Sequence, residues 1–288
     1  MIEIASDRLT AAINPFGAEL SSLRDGKGCE LMTDADPAFW AGRAPLLFPI
    51  VGRLVDDKYR VDGNEYPLPQ HGLARRQTFD LVEQAPDRAV FRLTDNEATR
   101  AVYPFAFALD AAFTVAGATL AMDITVTNTG DRDMPASFGF HPAFAWPLPY
   151  GRARADHRIV FERPEPAELS AIVRGGWIAP EGWPSPLDGR ELKLTDALFE
   201  RDALVWDSLE SQSLRYDGGE GPGLEIGFVG MPRLGIWTKP GARYVCIEPW
   251  HGIADPIGFT GEIWDKPGIL RFAPGETRTF GMQVTLAG

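Results

Sequence analysis

The stretch that decides the fold is LAMDITV at residues 120–126. Its larger apolar side chains alternate with Ala, Asp and Thr, and this period of two predicts a strand with one buried face. The turn-forming residues NTGD at 128–131 then end the strand. The segment therefore predicts β structure that packs against a core on one side.

Similar apolar runs recur along the chain with turn-forming residues between them. They lie at 79–84, 89–94, 106–115, 213–216, 224–229, 235–238, 244–247 and 277–286. The pair Asp62-Gly63 and the turn around Gly117 separate neighbouring runs and predict hairpins. Helical periodicity is limited to 96–103 and 196–200, which are too short to form a layer. We therefore predict an all-β fold made of antiparallel strands, either a sandwich or a barrel.

The chain length of 288 residues is enough for a large core, and all-β folds of about this size commonly form one domain. We therefore expect a single domain over residues 1–288. The segment 147–189 is rich in Pro, Gly, Arg and Trp and could be a linker. Its tryptophans would be costly to leave in water, which favours a long ordered loop instead.

Composition argues against several classes of partner. The net charge of −12 would repel a phosphate backbone, so we expect no nucleic acid. No apolar stretch reaches the ~18–20 residues that span a bilayer, and no secretion signal is apparent, so we expect a cytoplasmic protein without a membrane partner. Cys29 and Cys246 cannot form a disulfide framework, and we expect both to be reduced thiols.

Four segments place ionisable residues among glycine, proline and aromatic residues, at positions where loops on a rigid sheet often carry function. They are PIVGR at 49–53, QHGLAR at 70–75, FGFHP at 138–142 and CIEPWHG at 246–252. In the strand that leads into the last segment, alternation should turn Val245 and Ile247 toward the core. Glu248 would then share the opposite face with Tyr244 and Cys246.

Known cofactor and metal patterns are missing from the sequence. It contains no His-Glu-x-x-His or Cys-x-x-Cys spacing for zinc, and no Gly-x-Ser-x-Gly elbow, P-loop or Gly-x-Gly-x-x-Gly fingerprint. We therefore expect neither a metal nor a cofactor, and the usual hydrolase and nucleotide-binding functions are disfavoured.

The order of three motifs resembles the aldose 1-epimerase (galactose mutarotase) family: a histidine before glycine, an aromatic-His-Pro motif and a late Glu-Pro. The segments FPIVGR and HGLAR resemble its divergent bacterial branch. The resemblance implies a large antiparallel β-sandwich, the galactose mutarotase-like supersandwich, and cofactor-independent exchange of the α and β anomers of a free aldohexose. It also implies that Glu248 is the general base on the anomeric hydroxyl and that His141 is the general acid on the ring oxygen.

The resemblance further implies residues that bind sugar hydroxyls. These are His71, Arg53, Arg75 as a second arginine, and Asp202, for which the nearby Asp207 could substitute. Among the aromatic side chains, Trp250 is our candidate for stacking against the apolar face of a pyranose.

Anomer exchange requires O1 to lose a proton, the ring oxygen to gain one, and the open aldehyde to reclose on its other face. A carboxylate and an imidazole on opposite sides of one ring can exchange these roles. Glu248 should then be ionised and His141 protonated at the working pH, which predicts a bell-shaped pH profile.

Two other functions stay open at this stage. One is the same reaction on a hexose 6-phosphate, with Arg53, Arg75 or Arg76 holding the phosphate, although the acidic composition disfavours it slightly. The other is a non-catalytic protein that binds or senses a sugar. In each case the expected partner is a small-molecule sugar, and the sequence leaves open whether the chain is a monomer or a homodimer.

Overall fold

The computed structural model describes residues 1–165 and 168–288, which consist mainly of antiparallel strands. Numbered along the chain, the strands are β1 Ile2–Ala5, β2 Leu9–Asn14, β3 Glu19–Asp25, β4 Leu46–Leu47, β5 Lys58–Val61, β6 Asn64–Pro67, β7 Asp80–Ala85, β8 Arg88–Thr94, β9 Phe107–Ala116, β10 Thr119–Asn128, β11 Met134–Ala136, β12 Gly139–Phe140, β13 Ala143–Ala145, β14 Arg158–Phe161, β15 Ile172–Val173, β16 Trp177–Ile178, β17 Glu191–Lys193, β18 Leu204–Trp206, β19 Ser213–Asp217, β20 Gly223–Gly227, β21 Arg233–Trp237, β22 Tyr244–Trp250, β23 Leu270–Phe272 and β24 Thr277–Ala287.

Helices are short in the described residues. The α-helix α1 covers Glu97–Val102, and 3₁₀ turns lie at Val55–Asp57, Ala74–Arg76, Arg154–Asp156, Asp196–Phe199 and Ile263–Asp265. The side chain of Asn96 accepts a hydrogen bond from Thr99 N and so caps α1, which is why the helix begins there. Both predicted helical segments are thus confirmed as single short turns. Within the described part of the chain, no helix is long and apolar enough to cross a membrane.

The larger sheet has nine strands in the order β17-β14-β19-β20-β24-β10-β9-β8-β7. The predicted alternation of β10 is confirmed: Leu120, Met122, Ile124 and Val126 are at most 2% exposed, and Asp123 on the other face is exposed. The predicted turn joins β9 to β10 in register, with Ala116 opposite Thr119. This sheet therefore has a continuous apolar face turned toward the core.

The second sheet has the strand order β18-β21-β22-β12-β4, with β13 also paired to β22. All seven residues of β22 are buried. Its Val245 and Ile247 belong to the same buried cluster as Phe113 and Ile124 of the larger sheet. The two sheets therefore pack face to face, which confirms the predicted all-β antiparallel sandwich.

The other predicted features fit this architecture. Asp62 and Gly63 both have positive φ, at 52° and 75°, and join β5 to β6 as the predicted hairpin. Of the segment 147–189, residues 166 and 167 lie outside the described part. The described part of the segment carries β14, β15 and β16, and the Trp177 indole donates to Leu54 O at 3.1 Å.

Candidate active site

The register of the second sheet brings together two residues that are remote in the sequence. β22 pairs with β12 through Trp250 opposite Gly139, and with β13 through Cys246 opposite Ala143. The chain that links β12 to β13 keeps the same register, so His141 falls opposite Glu248. The two predicted catalytic residues are therefore cross-strand neighbours on one face of the sheet.

His141 and Glu248 are in contact in a buried position. His141 Nε2 lies 3.1 Å from Glu248 Oε2, and the two residues are 7% and 2% exposed. His141 Nδ1 and Glu248 Oε2 are buried atoms without a hydrogen-bond partner among the described residues. Because buried polar atoms are normally satisfied in folded proteins, this His141–Glu248 pair is suited to bind a polar ligand.

The contact differs from the expected arrangement of acid and base on opposite sides of a sugar ring. Both groups lie on one side, because Glu248 is on β22 and His141 is in the link between β12 and β13, the strands that pair with β22. The difference is compatible with anomer exchange, since O1 and the ring oxygen of a pyranose are bonded to the same carbon. Neighbouring groups can therefore reach both oxygens from one side.

His71 is held in a fixed orientation by the loop that precedes the Ala74–Arg76 turn. Its backbone has a positive φ of 65°, and its amide donates to Gly52 O at 2.9 Å. Gly52 N in turn donates to His71 Nδ1 at 3.2 Å. An Nδ1 that accepts a hydrogen bond leaves the ring proton on Nε2 in the neutral imidazole. His71 is therefore a neutral residue with an N–H available to the ligand.

The same loop needs a glycine beside the histidine. Gly72 has a φ of +73°, and a Cβ at this position would lie 2.2 Å from Phe48 O. A side chain at position 72 would therefore push the loop away from residues 48–49 and move His71.

Arg75 and Asp202 bring opposite charges to the same cavity. The guanidinium of Arg75 makes no hydrogen bond and no ion pair with the residues that the structure describes. Its N–H donors are therefore available to a ligand. Asp202 sits at a backbone φ of 107° and is exposed at the cavity rim. Asp207 instead pairs with Arg233 and does not line the cavity. Of the two candidate aspartates, only Asp202 faces the His141–Glu248 pair.

Arg53 does not join this group. Its guanidinium makes two hydrogen bonds of 2.9 Å to Asp57 and one of 3.3 Å to Gly175 O. The side chain therefore binds the β15–β16 turn and Asp57, and its predicted contact with sugar hydroxyls has no support from this geometry. Arg76 also lies outside the cavity lining and donates to Gly72 O at 2.8 Å.

Tryptophan side chains form an aromatic wall beside the pair. The Trp40 ring lies 4.9 Å from that of His141 at 34°, and Trp237 meets His141 edge-on at 6.1 Å. Trp250 also lines the cavity and is 6% exposed. Two glycines make room for it, because a Cβ at Gly139 or at Gly235 would lie 2.6 or 2.5 Å from its indole.

The cavity enclosed by these residues has a volume of about 280 Å³. This lies near the lower end of small-molecule sites, roughly 300–1,000 Å³, and suits a ligand as small as a monosaccharide. The lining is mixed. The His141–Glu248 pair, His71 and Arg75 are its polar part, and its apolar part consists of Ile172, Ile178, Ala203, Val205, Ile253 and Ala254.

Sequence reasoning missed part of this lining. Ile172 and Ile178 pair in the two-residue strands β15 and β16, which are too short to show a period. Gln70 was within a quoted motif without an assigned role, and Trp237 ends an ordinary apolar run. The available signal for Trp237 was an aromatic residue in the same strand as a glycine, Gly235.

Burial shapes the protonation of the pair. It raises the pKa of Glu248 well above the ordinary value, and the charge of Asp202 adds to this while Arg75 opposes it. Burial lowers the pKa of His141 to about 3, with Arg75 adding to the effect. The pair therefore carries a single proton between the lowered pKa of His141 and the raised pKa of Glu248. The expected state, with Glu248 ionised and His141 protonated, is one tautomer of this singly protonated pair, and burial favours the neutral tautomer.

His71 and the thiol of Cys246 are two other ionisable groups close to the pair. Burial lowers the pKa of His71, and the neighbouring His141 and Arg75 lower it further, in agreement with a neutral ring. The thiol of Cys246 is close to the pair. Its Sγ atom, a ring nitrogen of His141 and a carboxylate oxygen of Glu248 all lie within 4.8 Å of one another.

Comparison with known proteins points to one group. The family model described as aldose 1-epimerase matches residues 1–174. Protein LacX (plasmid) of Lactococcus lactis subsp. lactis is 29% identical over 295 residues, covering 99% of each chain. The structure of the galactose mutarotase related enzyme from Lactobacillus acidophilus superposes with a TM-score of 0.91 and 31% identity, covering 100% of this chain and 97% of that one. A galactose mutarotase-like protein from Lactobacillus casei superposes with a TM-score of 0.90 and 27% identity over 100% of both chains.

Proposed function

The chain belongs to the aldose 1-epimerase family, and we propose that it interconverts the α and β anomers of a free aldohexose by general acid–base catalysis. The observation that carries the proposal is the contact of His141 and Glu248, 3.1 Å apart in a cavity of monosaccharide size. We refer to these two residues below as the acid–base pair.

In the proposed reaction, the carboxylate of Glu248 takes the proton from O1 while the imidazolium of His141 gives a proton to the ring oxygen. The C1–O5 bond breaks, its electron pair goes to O5, and C1 becomes an aldehyde. Rotation about C1–C2 and the reverse proton transfers then give the other anomer. Each proton transfer of this kind contributes about 10²–10⁴ in rate.

The other cavity residues would hold the sugar in place. His71 offers an Nε2–H donor, Arg75 offers unpaired guanidinium donors, and Asp202 offers an acceptor at the rim. Trp250 would cover an apolar face of the ring. Fixed orientation of this kind raises the rate, because O1 and the ring oxygen are held beside the groups that exchange protons with them.

The proposal can be tested by following anomer equilibration of freshly dissolved α-D-glucose and α-D-galactose by polarimetry or NMR. We expect the protein to accelerate equilibration above the spontaneous rate. No acceleration with either sugar, in a sample shown by calorimetry or NMR to bind them, would overturn the proposal and favour a non-catalytic binding protein.

A sugar phosphate is the second candidate, and the unpaired guanidinium of Arg75 favours it. Against this, Asp202 lines the same cavity, while Arg53 and Arg76 are engaged elsewhere. Parallel assays with glucose 6-phosphate and galactose 6-phosphate distinguish the two. A kcat/KM for the phosphates more than about tenfold higher would reject the free sugar as substrate. We further propose a cytoplasmic setting. We also propose a monomer or homodimer, in line with a cavity that residues of one chain line.

A further inference from the structure

The thiol of Cys246 is not needed for proton transfer, yet it lies against the acid–base pair. Cys246 and Glu248 are two residues apart on β22 and share one face, and His141 falls opposite Glu248. The three donor atoms lie within 4.8 Å of one another, and all three residues are buried. Cys246 is a free thiol.

Two observations make this a coherent group of ligands. Glu248 Oε2 is a buried atom without a hydrogen-bond partner in the described residues, although His141 Nε2 lies 3.1 Å from it. The thiol is packed against Ala143, Ala242 and Tyr244, so it is held beside the carboxylate in a dry position. The three donor atoms therefore lie together next to the cavity, which His141 and Glu248 line.

We propose that Cys246, His141 and Glu248 bind one Zn²⁺ ion. Zinc takes thiolate, imidazole and carboxylate ligands at about 2.0–2.3 Å and is commonly four-coordinate. Donors on one such ion are about 3.3–3.8 Å apart, so the most distant pair would have to close by roughly 1 Å. On binding, the thiol and the singly protonated His141–Glu248 pair would each release one proton to solvent, which leaves a thiolate, a neutral imidazole and a carboxylate as ligands.

The donor set selects the metal. A soft thiolate with an imidazole favours Zn²⁺ over Mg²⁺ or Ca²⁺, which prefer sets made only of oxygen ligands. Three protein ligands leave the fourth position open toward the cavity, where water or a sugar hydroxyl would complete the coordination. The ion would occupy the lone pairs that the acid–base pair needs for proton transfer. Zinc should therefore inhibit anomer exchange, and this consequence alone rests on the proposed function.

Binding can be measured without any activity. Tag-free protein is titrated with ZnCl₂ by calorimetry, and with CoCl₂ as a spectroscopic probe of the same site. We expect one ion per chain and a thiolate-to-cobalt charge-transfer band in the near ultraviolet. Cys246→Ala should abolish the band and weaken zinc binding by more than about 100-fold, because loss of a direct ligand exceeds the effect of outer-shell changes. Cys29→Ala removes the other thiol and serves as the matched control, which should bind like the parent.

Glu248→Gln is the second variant and should weaken zinc binding while keeping the charge-transfer band at high cobalt concentration. If circular dichroism shows that Cys246→Ala does not fold, the zinc affinity of Glu248→Gln tests the proposed site instead. The proposal is overturned if no stoichiometric binding occurs, if binding survives Cys246→Ala in a folded protein, or if Cys29→Ala removes it. These outcomes are independent of anomer exchange, so failure of the zinc site and failure of the proposed function are distinguishable.

Discussion

Replacing Glu248 with glutamine tests the acid–base pair directly. The amide has nearly the same shape as the carboxylate, so the packing of this side chain against His141 should survive. It cannot accept the O1 proton, however. We expect kcat to fall about 10²–10⁴-fold, the usual contribution of one general base. This corresponds to about 2.7–5.5 kcal/mol in the activation barrier.

The structure also predicts how the loss divides between kcat and KM. His71, Arg75 and Trp250 line the cavity independently of the carboxylate, so sugar binding should change much less than kcat. Polarimetry over a range of sugar concentrations separates the two constants. Glu225→Gln is the matched control, since it makes the same chemical change on the exposed face of β20. A Glu248→Gln protein that folds normally and keeps more than about a tenth of the parent kcat would refute the assignment of this base.

Three further predictions follow from burial and packing. The acid limb of kcat/KM for the free enzyme should lie well below the ordinary imidazole value of 6.5, because burial lowers the pKa of His141 to about 3. The alkaline limb should lie above the ordinary carboxyl value, because burial raises the pKa of Glu248, and an acid limb near 6.5 in a pH–rate profile would contradict this. Lys266→Met should lower the free energy of unfolding by about 3–5 kcal/mol in denaturant titrations, because it leaves the buried carboxylate of Asp255 without the ammonium group now 2.7 Å away. Adding Asp255→Leu should recover much of this loss. Gly235→Ala should raise KM and alter tryptophan fluorescence, because the new methyl group would lie 2.5 Å from the Trp250 indole. Overpacking of this kind costs about 1–3 kcal/mol. An unchanged KM would count against the role of Trp250 in sugar binding.

The fold was largely predictable because its long strands carry an unbroken period of two. β9, β10 and β24 each have ten or more residues, and one face of each is buried. The strands of two or three residues that complete the second sheet were beyond such reasoning. Their pairing depends on contacts between segments far apart in the chain, which local alternation does not encode.

The site was predictable in its composition but less so in its geometry. Alternation along β22 correctly turned Glu248 away from the core, and the motifs identified the loops that hold His71 and His141. The direction of Arg53 could not be inferred, because it follows Gly52, whose φ of +74° redirects the chain and turns the arginine toward Asp57. Nor could the grouping of Cys246 with His141, since it depends on sheet register and not on sequence spacing.

Charge balance explains why acid and base are in contact. A carboxylate 2% exposed would be very costly to bury alone, and His141 beside it lets the two share one proton, so the pair is neutral in either tautomer. Ring opening moves protons from O1 to Glu248 and from His141 to the ring oxygen, which leaves the net charge of the cavity unchanged in a medium where an isolated charge is expensive. Arg75 and Asp202 add one charge of each sign. A phosphate dianion would upset this balance, because the single unpaired guanidinium of Arg75 could offset only part of its charge. The arrangement therefore favours a neutral sugar.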